Sequence, residues 1–290
     1  MRFWYAESMC DPSHYAPLAI AAEAAGWDGF VVPDSIGFAE VSDSRYPYTP
    51  DGSREFLRGR PFIDPFALIA SLGAVTERLR FSTFVLKLPV RHPVLVAKAA
   101  TSVSVLIGER LRLGVGLSPW PEDFRMCDQA WRGRGRRMDE MIEIVRGLST
   151  GQFFGFEGDH YQLERVQLCP VPKRPIPILI GGHSEAALRR AARSGDGWMH
   201  AGHDRRDLDA LLDDLARYRG EAGRGGSEFE IHVISLDAYT PEGVARLEER
   251  GVTDVIVGFR NAYEPDTLTV ERKRDALARY ADAVIGRSRR

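Results

Sequence analysis

The chain has few cysteines, almost no net charge and no long apolar run. Its three cysteines, Cys10, Cys127 and Cys169, form no CxxC pair, so neither a disulfide framework nor a thiolate zinc site is expected. The formal net charge is −2, which gives no reason to expect nucleic acid or an anionic membrane as a partner. No apolar run approaches a membrane span or the core of a signal peptide. A cytoplasmic protein is therefore expected.

Strand-like runs alternate with helix-like segments along the 290 residues. Eight such units in a chain of this length predict an α/β protein, a single (β/α)₈ TIM-barrel domain over residues 1–290. A long loop over about 35–60 follows the second strand, and a small β insertion over 151–168 precedes the fifth. The predicted strands are 3–6, 29–32, 79–86, 110–116, 177–180, 197–200, 230–235 and 254–258. The predicted helices include 93–106 and 267–285.

In such barrels the functional groups lie just after the strands, at the carboxyl-terminal mouth. The sequence therefore predicts functional side chains at the ends of its strands. These positions are Glu7, Ser8, Asp34, Ser35, 83–86, 116–120, 181–184, His200 and Asp237.

The turn Gly181–Gly182–His183–Ser184 joins the fifth strand to a helix. Glycines lacking Cβ atoms let a phosphate approach the backbone, and the free N–H groups of the next helix face it. Ser184 is the predicted N-cap and a possible hydroxyl donor. The alternative is that the glycines simply turn the strand into the helix.

Other patterns exclude more than they identify. The run from Gly114 to Pro119 lacks the third glycine of a dinucleotide fingerprint, so Gly116 indicates either a close approach of a flat ring or a tight turn. Neither a GxSxG elbow nor a Ser-His-Asp order supports a hydrolase.

His200 and His203 lie near Asp204, but their loop spacing does not define a metal geometry, and no metal is expected. Aromatic residues favour a planar phosphorylated cofactor, with plain core packing as the alternative: Trp4, Phe84, Trp120 and Trp198.

Several motifs in consistent order over residues 15–200 resemble the bacterial luciferase-like superfamily, and most closely its coenzyme F420-dependent oxidoreductases. They are DP (64–65), TERLRFST (76–83), LPVRHP (88–93), GERLRLGVG (108–116), IGGHS (180–184) and GDGW (195–198). The last third of the chain supports only the count of barrel units.

This resemblance implies a TIM barrel that binds F420 or FMN at its mouth. It places a non-prolyl cis peptide bond at Phe84–Val85, behind the cofactor ring, and a further cofactor contact near Gly116. It assigns the cofactor phosphate to Gly181, Gly182, His183 and Ser184, in agreement with the helix-terminus argument. A homodimer is also implied.

One position departs from the family pattern. Members that oxidise alcohols or sugars carry a histidine after the aspartate that ends strand two, whereas here Ser35 follows Asp34. A serine alone is a poor general base. A reductase or an oxygenase is therefore favoured, unless His183, Asp34 or Glu7 supplies the base.

The substrate pocket is predicted from aromatic residues near the mouth. The loop that contains Tyr46 and Tyr48 is expected to wall it, or else to form a dimer contact. The proposed lining residues are Trp4, Tyr46, Tyr48, Trp120 and Trp198.

Three functions remain open from the sequence. The first is an oxidoreductase that moves hydride between F420 and a small organic substrate, with Asp34, Ser35 and Glu7 as candidate catalytic residues. Tyr46, Tyr48 or Asp34 is the expected proton donor. The second function is an FMN-dependent luciferase-like monooxygenase, and the third is a cofactor-binding protein without turnover.

Overall fold

The computed structural model describes residues 1–42, 44–46, 49, 51–202 and 205–289, with the backbone alone at 205–207. Within these residues, eight parallel strands close into a barrel, because β3 pairs with both β2 and β5. This confirms the predicted TIM barrel. The strands are β1 (Arg2–Ala6), β2 (Gly29–Val32), β3 (Arg80–Thr83), β4 (Leu86–Lys87), β5 (Leu111–Gly116), β6 (Phe154–Glu157), β7 (Gln162–Val166), β8 (Ile178–Gly181), β9 (Gly197–His200), β10 (Glu230–Val233) and β11 (Asp254–Val257).

Helices follow the barrel strands. Their starts carry the expected caps: the Asp64 carboxylate, for example, accepts hydrogen bonds from the N–H groups of Phe66 and Ala67. The helices are α1 (Tyr15–Ala24), α2 (Pro65–Ala74), α3 (Pro93–Leu106), α4 (Pro121–Met126), α5 (Arg134–Leu148), α6 (Glu185–Ser194), α7 (Arg205–Glu221), α8 (Pro241–Glu249), α9 (Val270–Tyr280) and α10 (Gly286–Ser288).

Most strand bounds differ from the predicted ones by one or two residues, β10 for example ending at Val233 and not at 235, and two differences are larger. The single strand predicted over 79–86 is divided into β3 and β4, with Phe84 and Val85 between them. Helix α9 begins at Val270 and not at 267, because Thr269 caps it by accepting from the N–H of Arg272. The insertion over 151–168 is confirmed as an antiparallel hairpin of β6 and β7.

A layer of charged residues fills the amino-terminal end of the barrel. Arg2 donates to Asp254 at 2.7 Å, and Arg112 donates to Glu230 at 2.7 and 2.8 Å. Burial alone would raise the pKa of Glu230, but the hydrogen bonds and charges of His232 and Arg112 outweigh it and lower that pKa. The carboxylates of Glu230 and Asp254 at this end are thus paired with arginines of the protein. No helix in the described part of the chain is long and apolar enough to cross a membrane.

Candidate active site

Apolar side chains at the carboxyl ends of the strands form the floor of the barrel mouth. Four of them are only partly buried and pack on the fully buried interior cluster around Leu179. We call these four residues the mouth floor: Ala6, Phe84, Val85 and Ile234. An apolar surface of this kind suits one face of a planar ring.

The Phe84–Val85 peptide bond is cis, which confirms the prediction for this bond. A Cβ atom on Gly116 would lie 2.7 Å from Val85 Cγ2, and one on Gly181 would lie 2.9 Å from Val85 Cγ1. The two glycines therefore make room for the Val85 side chain. Their assignment as cofactor contacts stays a prediction.

Asp34 joins the end of β2 to the chain that follows the cis bond. Its Oδ2 accepts from the Lys87 N–H at 2.9 Å and from Arg91 Nη1 at 2.7 Å, and its Oδ1 accepts from Arg91 Nη2 at 2.9 Å. Both carboxylate oxygens are thus engaged, and the side chain is fully buried. The arrangement makes Asp34 a clamp that positions β4, and not a free base. Ser35 beside it is half-buried.

Glu7 lies directly after β1 in a buried charged cluster. It accepts from Tyr5 Oη at 2.9 Å and from Arg260 Nε at 2.9 Å, and Lys273 Nζ lies 3.2 Å away. Lys273 also pairs with Asp266. Burial and the charge of Glu7 raise the pKa of Tyr5 well above its usual value. Glu7 therefore ties β1 to the chain that precedes α9, which is a positioning role.

A buried lysine and aspartate escaped the sequence analysis. Lys87 Nζ donates to Asp123 Oδ2 at 2.7 Å, and Ser118 Oγ donates to the same oxygen at 2.6 Å. The Lys87 and Asp123 side chains are 9% and 0% exposed. Lys87 directly follows the predicted strand over 79–86, but its partner Asp123 lies 36 residues further along the chain, so the pair left no local signal.

The loop after β2 folds back over the mouth. Tyr46 stacks on Trp120 with ring centroids 4.8 Å apart, and the Arg54 guanidinium lies 4.1 Å from the Trp120 ring. Arg54 also pairs with Glu122 at 3.2 Å. The structure therefore brings Tyr46 and Trp120 together, and their assignment to the substrate pocket stays a prediction. Tyr48 lies outside the described residues.

Two tryptophans assigned to the substrate pocket are placed elsewhere. Trp4 fills the barrel interior, where its Nε1 donates to Asp254 at 2.6 Å, at the amino-terminal end. Trp198 is fully buried in the core between strands and helices, and its Nε1 donates to the carbonyl of Gly182 at 2.9 Å. The structure disagrees with both pocket assignments: Trp4 lies too deep in the interior, near the amino-terminal end, and alternation along β9 turns Trp198 toward the helices.

The turn between β8 and α6 has the geometry of an anion site. Gly182 has a φ of +123°, which favours glycine, and Ser184 caps α6 by accepting from the Ala187 N–H at 3.3 Å. The predicted N-cap is thus confirmed. The N–H groups of Glu185 and Ala186 belong to the first turn, where a helix offers no carbonyl partner. The residues present therefore fit a phosphate at this turn.

Two imidazoles stand beside this turn. The His183 and His200 rings stack 4.6 Å apart, and His183 Nε2 accepts from the N–H of Ala201 at 3.1 Å. His183 is therefore turned toward the loop after β9. His203 and Asp204 lie outside the described residues.

Two clusters in the described residues have donors close enough for a metal, but protein cations already occupy both. Lys273 pairs with Asp266 in the first, and Arg2 and Arg112 bind the carboxylates of the second. The clusters are Cys10, His14 and Asp266, and Glu230, His232 and Asp254. Neither supports a metal centre.

The chain matches the family model for luciferase-like monooxygenases over residues 6–283, and it belongs to that family of oxidoreductases. It is 57% identical over 289 residues to Uncharacterized protein Rv0940c of Mycobacterium tuberculosis (strain ATCC 25618 / H37Rv), covering 99% of this chain and 100% of the relative.

A more distant relative and a solved structure carry cofactor names. The chain is 28% identical over 271 residues to F420-dependent glucose-6-phosphate dehydrogenase of Tsukamurella paurometabola, covering 90% and 72% of the two chains. Coenzyme F420-dependent tetrahydromethanopterin reductase from Methanopyrus kandleri has the same fold, with a TM-score of 0.74 at 14% identity over 99% of both chains.

Proposed function

We propose that the protein is an F420-dependent oxidoreductase that transfers hydride between the deazaflavin and a small organic substrate. One observation carries the proposal. The cis Phe84–Val85 bond of the mouth floor and the turn between β8 and α6 both lie at the carboxyl ends of barrel strands, and so at the same mouth. The relative named as an F420-dependent dehydrogenase supports this cofactor. A sugar phosphate is not proposed as substrate, because Ser35 stands where a histidine base would be needed.

The residues of the mouth have defined roles in this proposal. When bound, the deazaflavin supplies or accepts the hydride at its C5 carbon. Phe84 and Val85 support one face of the ring, and the first turn of α6 binds the phosphate. Hydride transfer depends chiefly on such positioning. Since Asp34 is fully engaged, Tyr46 is the proposed proton donor among the described candidates.

The substitution Ala186→Glu should weaken cofactor binding without lowering the stability of the protein. Ala186 is exposed in the first turn of α6, and a carboxylate there favours the helix while repelling a phosphate. We expect the F420 dissociation constant to rise roughly tenfold or more, with an unchanged or higher melting temperature. Tryptophan fluorescence quenching with F420, and in parallel with FMN, measures both affinities.

Ala186→Gln is the matched control, since it adds the same bulk without charge and should bind as the wild type does. Tight F420 binding with weak FMN binding agrees with the proposal. If neither cofactor binds, or if Ala186→Glu binds as the wild type does, the proposed phosphate site is wrong.

An FMN-dependent monooxygenase is the second candidate, because the family model that matches is described as luciferase-like monooxygenase. Reduced flavin reacts readily with oxygen, whereas a deazaflavin reacts poorly. Oxygen uptake that depends on reduced FMN and substrate would favour this candidate. Binding without any substrate-dependent turnover would favour the cofactor-binding protein.

We also propose a homodimer formed through α2 and α3. α2 carries no charged residue, and the only charge on α3, Lys98, donates to the carbonyl of Cys169. Leu95 and Leu106 on α3 are 69% and 75% exposed, and exposed apolar patches of this kind mark interfaces. Sedimentation should give a dimer for the wild type and a monomer for Leu106→Glu. A wild-type monomer would refute this interface.

A further inference from the structure

The charged groups of the mouth neutralise one another. Beside the cis bond, Asp34 pairs with Arg91, and Asp123 pairs with Lys87. Both carboxylates have fully buried side chains. Each cation is committed to a carboxylate at 2.7 Å, so neither is left to bind an anionic ligand.

The same balance holds at other strand ends. Glu122 pairs with Arg54, and Asp237 pairs with Arg246. After β1, the carboxylates of Glu7 and Asp266 are matched by the two cations Arg260 and Lys273, as described above. Glu122 also pairs with Arg125, whose side chain is 62% exposed, and apart from that residue the groups named carry no excess charge of either sign.

Two apolar clusters accompany these pairs. One contains the mouth floor, with its partly buried Phe84, Val85 and Ile234. The other contains Tyr46, Trp120 and the partly buried Phe38. A ligand in contact with these side chains would exchange water for hydrocarbon and aromatic contacts.

An ionised ligand would lose its hydration here without gaining a counter-charge. Taking a charge out of water is costly unless a partner compensates it, and each of the described cations named above already holds a carboxylate. We propose that the substrate bound at this mouth is an uncharged, largely apolar compound that carries neither phosphate nor carboxylate. The inference rests on the proposed function and specifies its substrate class.

Two matched probes test it: neutral 2-acetylnaphthalene and its anionic counterpart 6-acetyl-2-naphthoate. Equilibrium dialysis with the F420-loaded enzyme measures both dissociation constants. We expect the neutral probe to bind at least about tenfold more tightly, because burying an unpaired charge costs at least the free energy of a tenfold change. Equal affinities, tighter binding of the anion, or no binding of the neutral probe would overturn the inference.

Two variants test whether the preference for the neutral probe depends on the mouth floor. Ile234→Lys adds a cation there and should shift the ratio of affinities toward the anion by at least about tenfold. Leu236→Lys adds the same charge two residues further on, at a side chain that is 88% exposed, and should leave the ratio unchanged. Ala6→Lys replaces Ile234→Lys if the latter does not fold. Equal shifts for floor and surface variants would contradict the proposed location.

Loss of F420 binding itself is a different result. It would refute the proposed function before either probe is added. An enzyme that binds F420 and shows no preference between the probes retains the proposed function and loses only the substrate class.

Discussion

Gly114→Ala is expected to lower the free energy of unfolding by about 3 kcal/mol, the upper end of the usual cost of overpacking. A Cβ atom on Gly114 would lie 2.0 Å from the carbonyl oxygen of Thr83 and 2.5 Å from Met199 Sδ. The first contact is with backbone on the neighbouring strand, so no rotamer change relieves it. Thr83 immediately precedes the Phe84–Val85 bond, and the substitution should therefore also disturb the mouth floor.

Urea unfolding followed by circular dichroism measures this change. Gly220→Ala is the matched control: it lies in α7, nothing lies within 4 Å of an added Cβ, and its φ is not positive. Alanine there should stabilise the protein by about 0.5–1 kcal/mol. The same glycine-to-alanine substitution should thus lower the free energy of unfolding at position 114 and raise it at position 220. Equal midpoints would show that the β3–β5 contact yields more easily than its geometry indicates.

The elements with clear local signals were the ones predicted from the sequence. The strand over 29–32 and the helix over 93–106 have the predicted bounds. Both depend on neighbouring residues alone: an apolar run for β2, and proline at the start of α3. The N-cap of α6 was likewise predictable, because the Ser184 side chain acts within one turn of the helix that it begins.

The partners of charged side chains could not be predicted in this way. Asp34 and Arg91 are 57 residues apart in the chain, and Glu7 and Arg260 are 253 apart. Composition identifies such groups as ionisable, but only the closed barrel brings the pairs together. Asp34 and Glu7 therefore looked like candidate bases in the sequence, whereas each holds two parts of the mouth together in the structure.

The direction of aromatic side chains was the other source of error. Trp198 and Met199 are consecutive in β9, yet Trp198 packs toward the helices and Met199 into the barrel interior. A shift of one residue in a strand exchanges these two faces. The phase of alternation in so short a strand cannot be determined when both faces are apolar.

The substitution Asp34→Asn should reveal whether this residue is a clamp or a base. Removing one charge of a buried pair typically costs about 3–5 kcal/mol. The amide NH2 group cannot accept from Arg91 Nη2 as Asp34 Oδ1 does, so that hydrogen bond is lost with the charge. We expect a lower unfolding midpoint and weaker F420 binding, because β4 loses its anchor beside the cis bond. A base would behave differently: its loss would reduce the rate of turnover alone and leave stability and cofactor affinity unchanged.

A double-mutant cycle makes the distinction sharper. If Asp34 acts through Arg91, then Arg91→Met should cause a similar loss of stability. The double variant should then lose much less stability than the sum of the two single variants. The exposed pair of Glu55 and Arg58, 62% and 59% accessible, supplies the control, since Glu55→Gln should not measurably change the midpoint. Additive losses at Asp34 and Arg91 would refute the clamp, because independent contributions cannot come from one shared pair of hydrogen bonds.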